Sequence, residues 1–333
     1  MLAAALEGSK VLMKELLREY GIPTAKFKYF HNPDLAYEYA KEQSFPLVIK
    51  ADGLAAGKGV YICENLNESF KAIQEIMVER KFEDAGNRIV IEEFLDGEEA
   101  SYIAFVDSNG YVLPLASSQD HKRVGDGDNG LNTGGMGAYS PAPVVTHEAE
   151  GIILSEIIHP TVRAMRKEGR PFTGFLYAGL MIDHDGKPKV LEFNVRMGDP
   201  ETQPILTRMQ SDIVPILLAT IEGHLDECEI DWDHRVAVCV VMAAKGYPES
   251  YQKGFPISGL FNARKKDVLI HQAGTTLDEN GNLISSGGRV LNITALGETF
   301  LEAQKKAYCA VQKIESGDNL FWRNDIAHRA INR

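Results

Sequence analysis

Apolar positions recur at helical spacing over residues 6–20, and Gly21 followed by Pro23 closes that stretch with a stop signal. The pattern predicts one amphipathic helix there. Residues 45–50 form a short β-rich run and residues 59–63 another, so the glycine-bearing loop between them predicts a hairpin. Spacing turns helical again over 68–80, with Phe70, Ile73, Ile76 and Met77 on one face. Residues 88–92 and 101–106 read as strands split by the acidic turn Asp96-Gly97-Glu98-Glu99. Residues 120–143 break the periodicity and hold six glycines between Gly125 and Gly137. A stretch that long and irregular predicts a loop with a functional task.

Further on, a helix is expected over 151–167. A hairpin of strands 176–183 and 188–194 turns at Asp183-His184-Asp185-Gly186, and a helix over 211–222 follows. After Trp232 the texture changes. Short strands at 236–242, 267–271 and 289–294 alternate with glycine-rich turns, and a helix over 299–314 follows them. This change predicts a domain boundary near 226–235, dividing the chain into 1–230 and 231–333. No internal repeat is visible.

The 333 residues suggest two or three domains at the usual ~100–200 residues each. With 44% apolar and 25% charged residues, the composition is that of a globular protein. Thirty-five Lys and Arg stand against 47 Asp and Glu, a formal charge of −12, which disfavours a non-specific nucleic-acid binder. No apolar run approaches the ~20 residues of a membrane helix, and no charged-then-apolar leader is seen. Cys63, Cys228, Cys239 and Cys309 stand far apart and form no metal-type pair. Scattered thiols suit a reducing compartment, and the expectation is a cytoplasmic protein with neither membrane nor nucleic acid as partner.

Five segments carry candidate chemistry. Lys50-Ala-Asp-Gly-Leu-Ala-Ala-Gly-Lys-Gly-Val60 is not a Walker A loop: three residues separate Gly53 from Gly57, and Gly59 stands where a hydroxyl would hold magnesium. Its backbone amides could clasp a polyphosphate, and it reads equally well as a flexible hairpin. In Val90-Ile-Glu-Glu-Phe-Leu-Asp-Gly-Glu-Glu-Ala-Ser101, an apolar strand could offer its edge to an adenine and Glu98 or Glu99 could receive ribose hydroxyls; a solvated turn is the plainer reading. In Lys189-Val-Leu-Glu-Phe-Asn194, period-two alternation puts Glu192 and Asn194 on one strand face, and these are hard oxygen donors suited to magnesium. The charged segment Arg196-Met-Gly-Asp-Pro-Glu-Thr-Gln203 follows, too dense in charge for a mere connection. Gln119-Asp-His-Lys-Arg123, leading into Asn132-Thr-Gly-Gly-Met-Gly-Ala-Tyr-Ser140, sets cations beside permissive backbone and suits an anionic substrate under a mobile cover. Ser285-Ser-Gly-Gly-Arg289 could form a small anion nest with a guanidinium beside it.

Taken in order, Leu-Glu-Gly-Ser-Lys10, the 50–60 loop, Glu-Glu-Phe-Leu-Asp-Gly-Glu-Glu-Ala-Ser101, Asn-Thr-Gly-Gly-Met-Gly-Ala-Tyr-Ser-Pro141 and Glu-Phe-Asn-Val-Arg-Met-Gly-Asp-Pro-Glu-Thr-Gln203 closely resemble the phosphoribosylamine–glycine ligase family of the ATP-grasp superfamily. The resemblance runs from about Leu6 to near the C-terminus. It implies an α+β, ATP-grasp fold of two α+β lobes, with about 45–105 as the smaller, nucleotide-clasping lobe, followed by a small β-rich C-terminal domain. It further implies that Lys10, Lys50, Gly57, Lys58 and Gly59 contact ATP, and that Glu92, Leu95 and Glu99 lie at the adenine and ribose positions. Glu192 and Asn194 would hold Mg²⁺ or Mn²⁺. Many other ATP-grasp enzymes carry another acid on the preceding strand, here Tyr177-Ala-Gly-Leu-Met-Ile182, so the metal would depend on fewer side chains.

The implied substrates are ATP, glycine and 5-phosphoribosylamine, with Arg196 and Arg289 as candidate catalytic residues and Asn132, Gly135, Asp199 and Glu201 as candidate substrate-binding ones. The family also implies a separate N-terminal α/β domain, which a different chain could supply. Two other readings stay open on the residues alone. One is another ATP-grasp carboxylate–amine ligase or carboxylase, against which the Asn132–Pro141 stretch argues; the other is a non-catalytic ATP-binding protein.

Overall fold

In the computed structural model, which describes residues 3–54 and 59–333, Ser9 divides the first predicted helix in two. Its backbone is extended (φ −142°, ψ 114°) and its hydroxyl accepts the N–H of Leu12, so it caps helix Lys10–Glu19 and ends the short helix Ala5–Gly8. Periodicity alone missed this break because apolar spacing continues across it. A capping serine satisfies orphan amides that an unbroken helix would not have had.

Two compact units are formed. The first comprises Met1–Pro114, Val144–Arg196 and Ile216–Cys228; the second comprises Leu115–Pro143, Met197–Pro215 and Glu229–Arg333. The first unit contains two four-stranded antiparallel sheets. One runs in the order Phe27–Phe30, Ile89–Glu93, Leu47–Ala51, Val60–Cys63, the last two being the predicted hairpin. Helices Pro33–Lys41 and Leu66–Ile73 cover it, and Ala36, Ala40, Ala72 and Ile73 bury against Ile49, Ile89 and Ile91. The other runs Pro188–Asn194, Gly174–Ile182, Glu98–Val106, Val112–Pro114. Its alternate residues Tyr102, Ala104, Leu176, Ala178 and Phe193 share a core with Met13 and Leu17 of the capped helix. Burial of such side chains is worth roughly 1.5–3 kcal/mol each and fixes the strand register that the site depends on.

Two elements were not expected, and two expectations need correction. Strand Phe27–Phe30 and helix Pro33–Lys41 carry no strong periodic signal, although Asn32 caps that helix by accepting the N–H groups of Asp34 and Leu35. The predicted acidic turn at 96–99 is shorter than it looked, because Glu98 and Glu99 already pair with Ile182 and Met181 in the sheet. The stretch 120–143 is not structureless: hairpin Arg123–Gly125/Asn129–Asn132 and strand Gly137–Ser140 lie within it. Glycine density hid these strands, since it weakens every local strand signal.

In the second unit, antiparallel strands run in the order Val268–Gln272, Arg289–Gly297, Val236–Ala244, Gly137–Ser140, Gln119–Asp120, with Leu320–Phe321 pairing to Val236–Ala244. Helix Phe300–Val311 packs on this sheet through Ala303, Ala307, Ala310 and Val311, small residues that let it lie close to Val238, Val240 and Ile293. Mixed helix and strand within each unit makes the class α+β, as expected. Among the described residues no helix is long and apolar enough to cross a membrane.

Candidate active site

A buried charge cluster sits between the two sheets of the first unit. Glu92, on strand Ile89–Glu93, is almost fully buried, and its Oε2 accepts from Lys14 Nζ at 2.9 Å and from Lys50 Nζ at 3.1 Å. Its Oε1 has no hydrogen-bond partner among the described residues. Lys50 also donates to the carbonyl of Leu191 at 3.3 Å, and Lys14 to Thr24 Oγ1 at 2.7 Å. Burial pushes the Glu92 carboxyl up, but Lys50 and Lys14 outweigh it and hold the group below the usual range. Burial lowers the Lys14 ammonium to about 8 against the pull of Glu92. Lys10 donates to the Gly53 carbonyl at 3.1 Å, and burial lowers it too, opposed first by the charge of Glu192.

Asp52 organises the entry to the glycine loop. Its Oδ1 accepts from Ser9 Oγ at 2.9 Å and from the Val11 amide at 2.7 Å, while Oδ2 pairs with Arg88. The Lys10 amide donates to the Asp52 carbonyl at 3.0 Å, and the Ala51 amide to that of Gly59 at 2.9 Å. Lysines 10 and 50 are thereby brought to one place from distant sequence. Gly57 and Lys58 lie outside the described residues. Leu95 lies in the link after strand Ile89–Glu93, partly exposed, and Glu99 lies on strand Glu98–Val106.

Glu192 and Asn194 oppose Gly179 and Tyr177 across the pair of strands, on one face, while Phe193 between them points into the core. The Glu192 stem lies close over Gly179: a Cβ there would lie 3.1 Å from Glu192 Cγ, a tight contact that the stem would have to give way to. Asn194 Oδ1 accepts from Arg196 Nη2 at 3.3 Å, and Arg196 Nε faces Glu7 Oε1 at 3.3 Å. Glu7 also receives the Val195 amide at 3.0 Å, so it steers the residues just past the strand. A carboxylate and an amide oxygen side by side, with Glu192 still partly exposed, fit a hard divalent cation that keeps several waters.

The second unit assembles Arg289, Gly135 and Asp199. Arg289 Nη1 donates to the carbonyls of Gly134 at 2.7 Å, Gly135 at 3.4 Å and Asp199 at 2.7 Å, and Nη2 to Asp199 Oδ2 at 2.7 Å. The nest imagined at 285–289 is thus not where its guanidinium points. Gly134 N–H donates to Tyr247 OH at 3.0 Å and Gly135 N–H to Thr133 Oγ1 at 2.9 Å. Gly135 has φ +112°, and a Cβ there would collide with Pro200 Cδ. We expect Gly135→Ala to destabilise the protein by about 1–3 kcal/mol, read from the midpoint of urea unfolding; an unchanged midpoint would contradict this packing. Glu201 is buried beside Gly198, and Asn132 lies on the hairpin opposite Arg123.

His121 does not join the cations its sequence neighbours suggested. Burial drives its imidazole down to about 4 against the pull of Asp128. His121, Asp128 and His328 place ligand atoms within 4.8 Å of one another. Yet His121 Nε2 accepts the Ala327 amide at 2.9 Å, so its proton sits on Nδ1, the atom facing Asp128. Arg323 and Arg329 both donate to Asp128 at 2.8 Å and already supply its counter-charge. The group is an ion cluster tying hairpin 123–132 to residues 323–329.

Residues 8–202 match the family model described as phosphoribosylglycinamide synthetase, ATP-grasp (A) domain, and residues 237–329 match that of its C domain. A phosphoribosylamine–glycine ligase of Vibrio parahaemolyticus is 54% identical over 331 residues, spanning 99% of this chain and 76% of the relative. The chain belongs to the phosphoribosylamine–glycine ligase family. Another of that name from Escherichia coli is 55% identical over 99% of this chain and 77% of its own length. The crystal structure of phosphoribosylamine–glycine ligase from Thermotoga maritima superposes with a TM-score of 0.87 at 39% identity, covering 98% of this chain and 80% of that one. The biotin carboxylase domain of Hydrogenobacter thermophilus 2-oxoglutarate carboxylase, at 17% identity and TM-score 0.75, shares the fold. The fold is therefore ATP-grasp, and for a phosphoribosylamine–glycine ligase family member ATP and a divalent metal come with it.

Sequence reading passed over Lys14, Asp52, Thr24 and Glu7. Lys14 had a usable signal: it occupies a core-facing position of an amphipathic helix, where a charge needs a buried partner.

Proposed function

We propose that this chain catalyses ATP-dependent ligation of glycine to 5-phosphoribosylamine, giving glycinamide ribonucleotide, ADP and phosphate, a step of de novo purine biosynthesis. The observation that carries this reading is the identity of 54% spread over 99% of the chain with a ligase of that name. A glycine carboxylate oxygen attacks the γ-phosphorus of ATP, the bond to ADP breaks, and glycyl phosphate forms. The amine nitrogen then attacks the acyl carbon, phosphate leaves, and the nitrogen gives up a proton. No covalent protein nucleophile is required.

The residues divide the labour as follows. Lys10, Lys50, Lys58 and the loop amides around Gly57 and Gly59 set positive charge against the polyphosphate. Glu92, Leu95 and Glu99 border the adenosine. Glu192 and Asn194 hold the metal, Mg²⁺ or Mn²⁺, which when bound offsets charge on the transferring phosphoryl group. Arg196 and Arg289 orient the reacting groups, while Asn132, Gly135, Asp199 and Glu201 bind substrate. Water must be kept out, since it would hydrolyse the acyl phosphate. In this reading 1–230 form the ATP-grasp domain and 231–333 the C-terminal one, and the setting is the cytoplasm.

The test is ADP release from Mg-ATP with freshly generated phosphoribosylamine, with and without glycine. It is run on this chain alone and with the remaining segment of the longer relatives added in trans, the second arm testing for a partner chain. Release that needs both glycine and the amine is expected in at least one arm. Release indifferent to glycine in both would overturn the assignment.

A further inference from the structure

Glu92 is one carboxylate facing two ammonium groups, and the two are held very differently. Lys14 is fully buried on helix Lys10–Glu19, with its Nζ fixed by Glu92 at 2.9 Å and by Thr24 Oγ1 at 2.7 Å. Thr24 is itself anchored: it donates to the Val190 carbonyl at 2.6 Å, two residues before Glu192. The Phe27 ring lies 5.8 Å from the same Nζ, closing the pocket around it. Lys50 approaches the shared oxygen at a longer 3.1 Å and donates to the Leu191 carbonyl at 3.3 Å. A buried carboxylate stripped of every counter-ion costs several kcal/mol, so a lysine that is its sole partner cannot leave it cheaply.

We propose that Lys14 is the resident counter-ion of Glu92, a positioning residue whose task is to release Lys50 for the nucleotide phosphates. This rests on the reading above, in which Lys50 contacts ATP. With Lys14 in place, Lys50 can turn from Glu92 to a phosphate oxygen and leave a neutral pair behind. Without it, the same turn strands a buried charge, and Lys50 stays on Glu92. The chain Val190–Thr24–Lys14–Glu92 also links the strand bearing Glu192 to the strand bearing Glu92 through hydrogen bonds alone.

The experiment compares wild type, Lys14→Met, Glu92→Gln and the double variant by calorimetric titration with Mg-ATP and, separately, with adenosine. Lys14→Met is expected to weaken ATP by about tenfold or more while leaving adenosine within about twofold, because only the phosphate contact is lost. In the Glu92→Gln background the same Lys14 substitution should change ATP affinity by less than about twofold, since no carboxylate is left to hold Lys50. Should Lys14→Met alone fail to fold, a loss of ATP affinity of about tenfold or more on the same substitution in the Glu92→Gln background still overturns the proposal. Equal losses for ATP and adenosine, or an undiminished Lys14 effect in the Glu92→Gln background, would overturn the proposal. A wild-type protein that binds no ATP would instead sink the nucleotide-site reading on which it rests, and the proposal with it.

Discussion

Glu192→Ala should lower metal-dependent turnover by about 10²–10³-fold, the usual cost of removing one element of preorganised charge stabilisation. Glu192 and Asn194 share a face because Phe193 between them is committed to the core. The Glu192 stem lies close over Gly179, the residue opposite it on the paired strand. Strand Gly174–Ile182 brings no acidic side chain to help. With so few donors, losing the only carboxylate of the pair leaves an amide oxygen, which is a weak anchor for a divalent cation. Turnover as a function of added Mg²⁺ is the readout. Wild-type turnover at ordinary Mg²⁺ would remove Glu192 from the metal site.

Arg289→Met should cost about 10²-fold in kcat/KM for glycine, an effect of the size that misplaced substrate-binding groups produce. One guanidinium bonds the carbonyls of Gly134, Gly135 and Asp199 and the carboxylate of Asp199 at once. Removing it leaves that carboxylate without its cation and releases a backbone turn that Gly135 alone can make at φ +112°. Arg289→Lys should recover little, because a single ammonium cannot serve donors spread over a planar fork. Initial rates across glycine concentration give the answer. A variant with unchanged kcat/KM would show that this tether has no part in substrate placement.

Much of this was readable from the residues, for definite reasons. Strand-pair alternation put Glu192 and Asn194 on one face, and the pairing with Gly179 and Tyr177 keeps them there. The hairpin around the glycine loop was equally legible, since its two strands and its turn residues agree with each other. Residues whose meaning depends on distant partners were not legible. Asp52 looked like part of a turn, yet it gathers Ser9, Val11 and Arg88. His121 looked like a cation, yet burial and an accepted amide hydrogen bond keep it neutral. Arg289 looked like half of an anion nest, yet it is spent on carbonyls and Asp199. In each case a partner dozens or hundreds of residues away decided the role.

The central claim is that glycine itself attacks ATP on this chain. Glycine labelled with oxygen-18 in its carboxylate tests it directly, because that oxygen becomes the bridge in glycyl phosphate and departs with the phosphate. The account predicts inorganic phosphate carrying one labelled oxygen for each turnover. Unlabelled phosphate, formed at the same rate as ADP, would mean that water attacks ATP and that the glycyl phosphate step does not occur.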